Sequence, residues 1–363
     1  EAVVETIRSK WISTGPRTAE LENKFAGMLG AGHALALTNC TSALHLALLI
    51  ADIKPGDEII CPSLTFVATV NAIRYAGATP IFADIKSYDD LNIDPADIEK
   101  RITAKTRALM LMHYGGFACD MERIMAVANK YDLKIIEDAC HGPMASVNGK
   151  KLGTFGLCGC FSFFSNKNIS TGEGGMLVTD NTELYEKAKI LRSHGMTSLS
   201  YERGKGHTSS YDVIDLGYNY RMDDIRASIG IVQLDKLKED LDKRAEIRQV
   251  YLKHLCDIDE LIIPFEAYGF YSSNYIFPVV LRDSNAEKRD RVRDFLASEG
   301  IQTSVHYPAV HRFAIYSEFT SALPITEYVS YNLITLPMFS KLTTDNIEYI
   351  KNTLAYAIES SER

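Results

Sequence analysis

The sequence predicts an α/β protein with a large domain, in which a mostly parallel sheet is flanked by helices, and a smaller C-terminal α/β domain. Short β-like runs alternate with helix-like segments over residues 34–178, as in parallel sheets with crossover helices. The 363 residues suit two domains rather than one core. A long helical stretch at 222–254 leaves the first region. We therefore predict a large domain at 1–236 and a small domain at 237–363.

Each element has its own residue pattern. Apolar and β-branched runs predict strands in the large domain at 34–38, 57–61, 80–83, 107–112, 133–137 and 157–164. Amphipathic spacing or a capping residue predicts helices at 42–50, 68–75, 95–101 and 121–131. The small domain is predicted to contain a strand at 275–281, a helix at 287–299, a strand at 301–305 and a final helix from 344.

Charge and composition exclude several kinds of partner. The net charge is −8 and no basic stripe carries interleaved aromatic residues, so we expect no nucleic acid partner. The stretch 34–51 lacks Lys, Arg, Asp and Glu, but its polar turn at 38–42 argues against a membrane span. The seven cysteines lie mostly in apolar runs without a Cys-x-x-Cys pair, which is typical of reduced residues in a cytoplasmic protein. We predict no metal site.

Lys167 is the most informative residue. It follows the apolar run 155–164, which is typical of a strand buried on both faces, and precedes a glycine cluster at 172–175. Burial is expected to lower the pKa of the amine from about 10.4, so that it can attack a carbonyl as Schiff-base lysines do. The glycines are expected to let the backbone approach a bulky bound group. For Lys167 alone, a side chain that reaches from the strand end to solvent is the alternative.

Asp138 ends a predicted strand at the sheet edge where α/β proteins bind ligands. A helix cap is the usual role of such a residue, and a metal site with His141 is another possibility. If Lys167 holds pyridoxal phosphate (PLP), an Asp must pair with the pyridine nitrogen and keep it protonated. Asp138 would be that residue.

A phosphate site and a stacking aromatic complete this pattern. Thr41 and Ser42 open a predicted helix, where hydroxyls and unpaired N–H groups at the positive end of the dipole suit a dianion. A plain N-cap is the structural alternative. Phe66 follows another strand and can stack on a flat ring, with core packing as its alternative.

Several blocks of the sequence resemble the DegT/DnrJ/EryC1/StrS family of sugar aminotransferases, which are PLP enzymes of fold type I. In chain order the blocks are 11–16, 41–48, 55–59, 62–69, 136–139, Lys167 with 172–175, 216–222 and 305–308. Their number and order make the resemblance specific over nearly the whole chain.

The resemblance implies a role for each site residue. Lys167 would bind the cofactor covalently, and Asp138 would contact its pyridine nitrogen. The other implied cofactor contacts are the phosphate ligands Thr41, Ser42 and Ser162, the stacking residue Phe66, and His141 beside the cofactor.

The resemblance also implies contacts beyond one subunit. Asn219 would reach the cofactor phosphate of the neighbouring subunit, so we expect a homodimer with shared active sites. Arg221 and His306 are candidates for substrate contacts. Their structural alternatives are an ion pair of Arg221 with residue 223 or 224 and a loop cap by His306.

Three features depart from the family pattern or lie outside it. Cys40 stands where relatives commonly have Gly, and Asn166 where they commonly have Thr. The polar segment 198–211 is interpreted as a mobile loop over the substrate or as a surface excursion.

The resulting hypothesis is a PLP-dependent aminotransferase that moves an amino group from glutamate to a keto group of a nucleotide-linked sugar. A keto-inositol acceptor is the alternative within this class. A non-catalytic regulatory or binding protein on the same scaffold would be expected to lose Lys167 or Asp138, and relatives that dehydrate sugars have His in place of the lysine. A nicotinamide-dependent oxidoreductase lacks support because no Gly-x-Gly-x-x-Gly follows the first strand.

Overall fold

In the computed structural model, which describes residues 1–197, 211–319 and 321–361, a seven-stranded sheet organises the larger part of the chain. Its strands are β1 (His33–Leu37), β2 (Glu58–Pro62), β3 (Thr79–Ala83), β4 (Thr106–Met112), β5 (Lys134–Asp138), β8 (Cys158–Ser162) and β9 (Gly175–Thr179). They are ordered β1-β9-β8-β5-β4-β2-β3. β8, β5, β4, β2 and β3 pair in parallel, and β9 is antiparallel to both of its neighbours. The predicted mostly parallel sheet is confirmed.

Two smaller sheets complete the strands. A hairpin is formed by β6 (Ser146–Val147) and β7 (Lys150–Lys151). In the C-terminal part, β10 (Leu261–Ile262), β11 (Phe277–Leu281) and β12 (Leu333–Leu336) pair antiparallel in that order.

The helices are α1 (Ala2–Arg8), α2 (Pro16–Leu29), α3 (Cys40–Ile50), α4 (Val67–Tyr75), α5 (Pro95–Arg101), α6 (Met121–Tyr131), α7 (Thr182–Arg192), α8 (Asp224–Leu255), α9 (Ala286–Ser298), α10 (Pro324–Asn332) and α11 (Thr344–Ser360). The core lies on both faces of the large sheet, because successive strand residues point to opposite sides. Ile59 faces the cluster that includes α3 and α4, whereas Ile60 faces α6.

Helix α8 contributes to two cores. Near its start, Leu234 and Leu237 belong to a cluster with Leu21 of α2. Further along, Tyr251 and Leu255 pack in the core of the C-terminal part. The predicted domain boundary at 236/237 falls inside this continuous helix and stays a prediction.

Two local expectations are corrected. Helix α3 begins at Cys40 rather than at 42, because the Asn39 side chain accepts a hydrogen bond from the Ser42 N–H at 2.8 Å and caps the helix. The predicted strand 301–305 is absent, and only Ser304 forms an isolated bridge, to Thr335. The backbone of Ser304 exchanges both hydrogen bonds of this bridge with Thr335.

Two other expectations concern the loop and the membrane. Apart from Tyr211, the proposed mobile loop 198–211 lies outside the described residues. Within the parts of the chain that the structure describes, no helix has the length and apolarity to cross a membrane.

Candidate active site

A cavity of about 310 Å³ lies at the carboxyl ends of the parallel strands. β5 ends there with Asp138, β8 ends with Ser162, and Lys167 follows in the loop to β9. The predicted site residues that line it are Thr41, Phe66, Asp138, Ser162, Lys167 and His306. Residues from five separate segments of the chain therefore meet at one sheet edge.

The other predicted residues do not line this cavity. The buried Ser42 hydroxyl donates a hydrogen bond to Asn39 Oδ1 at 2.9 Å, inside the helix cap. Asn219 is exposed, in a segment beside the end of β1, where the backbone of Arg221 bridges Leu37. Roles for Asn219 and Arg221 stay predictions.

The pKa of Lys167 differs from the expectation. Its Nζ lies 4.2 Å from the centroid of the Tyr275 ring. Burial of the amine lowers the pKa of Lys167, but the opposing influence of Cys140, Tyr275 and Asp138 outweighs burial and holds the pKa above its ordinary value. The expected lowered pKa is therefore wrong, because the sequence argument counted desolvation without these neighbours.

Asp138 is held in one orientation by two hydrogen bonds. Its Oδ2 accepts from Thr69 Oγ1 at 2.8 Å, and its Oδ1 accepts from the Cys140 N–H at 3.2 Å. Thr69 Oγ1 in turn lies 2.8 Å from Thr65 Oγ1. Sequence reasoning assigned Thr69 no role, although its place in the first turn of α4, near the end of β2, was a signal that it faces the same sheet edge.

The N-terminus of α3 faces the cavity. Cys40 and Thr41, the first two residues of the helix, both line it, so the positive end of the helix dipole is directed there. β9 passes close behind this turn, and a Cβ on Gly175 would lie 2.3 Å from the Asn39 carbonyl carbon. This glycine thus makes room for the protein's own backbone, whereas the sequence argument had it making room for a ligand.

The C-terminal part supplies the opposite wall. His306 Nδ1 lies 3.0 Å from Ser304 Oγ and 3.2 Å from Thr335 Oγ1. Burial, together with the charge of Lys167, lowers the pKa of His306 to about 4, so the ring is neutral at neutral pH.

Two tyrosines in this wall were missed by the sequence argument. Tyr275 and Tyr307 both line the cavity. Tyr307 belongs to the recognised block 305–308, which was a usable signal. Tyr275 was marked only as the start of a predicted strand.

His141 lies behind this wall rather than in it. Its ring is fully buried and stacks on Tyr275, with the ring centroids 4.3 Å apart. Its Nδ1 accepts a hydrogen bond from the Gly115 N–H at 3.2 Å, and its Nε2 lies 2.8 Å from Tyr307 Oη. A direct contact between His141 and a cofactor stays a prediction.

A second cavity, of about 620 Å³, adjoins the first and shares Asn166, Tyr275 and His306 with it. Its lining among the described residues contains no Lys, Arg, Asp or Glu. Across the described ranges, no group of three or more His, Cys, Asp and Glu side chains is arranged to hold a metal ion.

Comparison with known proteins identifies the family. The model of the DegT/DnrJ/EryC1/StrS aminotransferase family matches residues 1–355. GDP-perosamine synthase of Escherichia coli O157:H7 is 39% identical over 351 residues, 96% of this chain and 93% of that protein. Helicobacter pylori PseC, an aminotransferase involved in the biosynthesis of pseudoaminic acid, superimposes with a TM-score of 0.92 at 30% identity, covering 99% of this chain and 95% of PseC.

A second similar structure concerns the cofactor. Spr1654 from Streptococcus pneumoniae, solved in its PLP form, has a TM-score of 0.92 and 29% identity over 99% of this chain and 95% of that one. The family model and the relatives match nearly the whole chain, and the cavity contains the lysine at the strand end and the carboxylate of Asp138. This chain therefore belongs to the DegT/DnrJ/EryC1/StrS family and is a PLP-dependent sugar aminotransferase.

Proposed function

We propose that the protein transfers the amino group of glutamate to the keto group of a nucleotide-linked sugar, as a homodimer with shared active sites. The observation that carries this proposal is the cavity in which Lys167 and Asp138 lie beside the N-terminus of α3. A relative whose name includes a GDP-linked sugar supports the nucleotide.

The residues present fit PLP. Asp138 offers a fixed carboxylate to a pyridinium nitrogen, and the dipole of α3 with the hydroxyls of Thr41 and Ser162 suits a phosphate dianion. Phe66 is 54% exposed and lines the cavity, so its ring is available for stacking. The volume of about 310 Å³ lies at the lower end of the range for ligand cavities. When bound, PLP supplies an electrophilic carbon for the lysine and an electron sink for the carbon that loses a proton.

The chain itself moves the protons. In its uncharged form, Lys167 Nζ is proposed to take the proton from Cα of glutamate, and later, once protonated, to return one to the sugar carbon that becomes aminated. Tyr275 covers one side of this amine and limits the access of water to it. His306 is neutral, so it acts through hydrogen bonds rather than as a cation.

The size of the adjoining cavity supports a large molecule as the acceptor of the amino group. It is about twice the size of the first and opens from the same His306 and Tyr275. A keto-inositol would leave most of it empty, whereas a sugar with an attached nucleoside would extend into it. Size therefore favours the nucleotide-linked substrate.

The first experiment is the visible absorption spectrum of the purified protein with PLP, before and after glutamate, for the parent and Lys167→Ala. We expect a lysine-bound cofactor band that glutamate bleaches in the parent alone. Lys130→Ala is the matched control, because Lys130 pairs with Glu99 on the surface. Normal transamination by Lys167→Ala would contradict the assignment.

The acceptor is then tested with keto-sugar nucleotides and keto-inositols. We expect turnover of a keto-sugar nucleotide, and turnover of keto-inositols alone would refute the proposed substrate. Sedimentation of the protein checks the homodimer, and a monomer that remains active would exclude shared sites.

A further inference from the structure

Behind the cavity wall, one hydrogen bond joins the His141 ring to the Tyr307 hydroxyl. His141 has no exposed surface and does not line the cavity. Its ring stacks on Tyr275 and lies near-parallel to Tyr307, with ring centroids 5.9 Å apart in the second pair. Both of its nitrogens are engaged by protein groups. This arrangement gives His141 a route to a bound molecule through its neighbour Tyr307.

The Gly115 N–H fixes the tautomer of His141. This N–H donates to Nδ1, so Nδ1 carries a lone pair and no proton. Burial, with the nearby charge of Lys167, lowers the pKa of His141 well below its ordinary value, so the ring is neutral. The single ring proton is therefore on Nε2, and Nε2–H donates to Tyr307 Oη at 2.8 Å.

This donation determines what Tyr307 does with its own proton. Since the phenol oxygen accepts from His141, the phenol O–H is directed elsewhere. Among the described residues, His141 is the hydrogen-bond partner found for Tyr307 Oη. Tyr307 lines the cavity with Lys167 and Asp138. Burial raises the pKa of Tyr307, so the hydroxyl keeps its proton at neutral pH.

The loop that carries Tyr307 is anchored on both sides. The backbone of Ser304 exchanges two hydrogen bonds with Thr335, and the His306 carbonyl accepts from the hydroxyl of Tyr114. The Tyr307 ring also contacts Phe66, with centroids 5.8 Å apart. The hydroxyl is thus held at a set position beside the residue proposed to stack on the cofactor.

We propose that His141 positions Tyr307 as a hydrogen-bond donor to an oxygen of the bound reactants. The acceptor is an oxygen that gains negative charge, either on the cofactor ring or on the carbonyl of the keto substrate, and a prepositioned donor stabilises such charge. Tyr307 is then the residue in contact, and His141 is a positioning residue. The proposal deepens the proposed function and rests on it only where a ketone is the acceptor.

Tyr307→Phe tests the contact, because it removes the hydroxyl and keeps the ring. We measure the Kd for PLP by fluorescence titration, and kcat and KM for the keto sugar and for 2-oxoglutarate in the reverse half-reaction. A loss of about tenfold is expected for one hydrogen bond. A weaker PLP affinity identifies the cofactor as the acceptor, whereas an unchanged PLP affinity with a lower kcat/KM identifies the ketone.

Tyr251→Phe is the matched control, since Tyr251 donates to the Pro337 carbonyl at 2.7 Å in the C-terminal core. If Tyr307→Phe and Tyr251→Phe match the parent in PLP affinity and in both ketone reactions, the proposal is overturned. If the parent uses no ketone, the proposed function has failed, and unchanged PLP affinity in Tyr307→Phe overturns the inference separately.

Two substitutions of His141 test the positioning. His141→Gln keeps an acceptor for Gly115 and a donor for Tyr307, whereas His141→Leu keeps neither. We expect the Gln variant to match the parent and the Leu variant to show the same change in PLP affinity or kcat/KM as Tyr307→Phe. Equal effects of Gln and Leu, at equal melting temperatures, would overturn the role of His141.

Discussion

Glu137 and Asp138 are adjacent carboxylates on β5 that point to opposite faces of the sheet. Each carboxylate has about four lone-pair sites. Glu137 is fully buried and accepts four hydrogen bonds, from the N–H groups of Gly153, Phe155 and Gly156 and from His113 Nε2. Asp138 lines the cavity, and among the described residues its carboxylate oxygens accept from Thr69 Oγ1 and from the Cys140 N–H. The difference indicates that unused acceptor capacity, not burial, distinguishes the functional carboxylate from the structural one.

The largest effect is expected from Asp138→Asn. The amide keeps the shape of the side chain and an acceptor for the Thr69 hydroxyl, but it removes the charge offered to the pyridinium. Breaking a buried charge pair costs about 3–5 kcal/mol, so kcat is expected to fall by about a thousandfold. Steady-state kinetics measure this loss, with the melting temperature as the control for folding. A kcat near that of the parent would remove the distinction between the two carboxylates.

Glu137→Gln is expected to have the opposite effect, which is a lower stability with an unchanged kcat. Because the Cys119 N–H donates to His113 Nδ1, His113 Nε2 carries a proton and donates to Glu137. A Gln amide would face this donor and the Gly153 N–H with a donor of its own, and we expect a loss of about 3 kcal/mol in stability.

Thermal unfolding of Glu137→Gln checks the loss of stability. The kcat of the folded variant should match the parent, because Glu137 tethers the 153–156 turn and lies outside the cavity lining. If activity fell while the melting temperature held, Glu137 would belong to the site.

The sequence predicted the carboxylate side of the site because one rule governs it. The ends of parallel strands meet at one sheet edge, so Asp138 and Lys167 could be placed together before any contact was known, whereas Ser162 was assigned from the family resemblance. The roles of Glu137 and Asp138 could not be separated that way, since the hydrogen-bond count of each depends on loops and on residues from distant strands.

The C-terminal wall was less predictable. A strand was predicted at 301–305, just before Tyr307, yet the position of the segment around Tyr307 depends on side-chain hydrogen bonds to Tyr114, Thr335 and His141. The pKa of Lys167 likewise depends on charges brought in from other segments, and the sequence argument gave it the wrong direction. The local residue pattern determines where helices and strands form, whereas the position of Tyr307 and the pKa of Lys167 arise from contacts between separate helices, strands and loops.

Thr69→Val gives the smallest effect and sharpens the comparison most. The two residues have nearly the same shape, so the change removes the hydroxyl with its hydrogen bonds to Asp138 Oδ2 and Thr65 Oγ1. We expect kcat/KM to fall about tenfold, in keeping with one hydrogen bond to a carboxylate. Thr69→Ser retains the hydroxyl and should restore the rate, and Thr65→Val, one bond further from the carboxylate, should have the weaker effect. If the Val and Ser variants of Thr69 were equally active, a fixed orientation of Asp138 would not matter, and its free lone pairs alone would explain how it differs from Glu137.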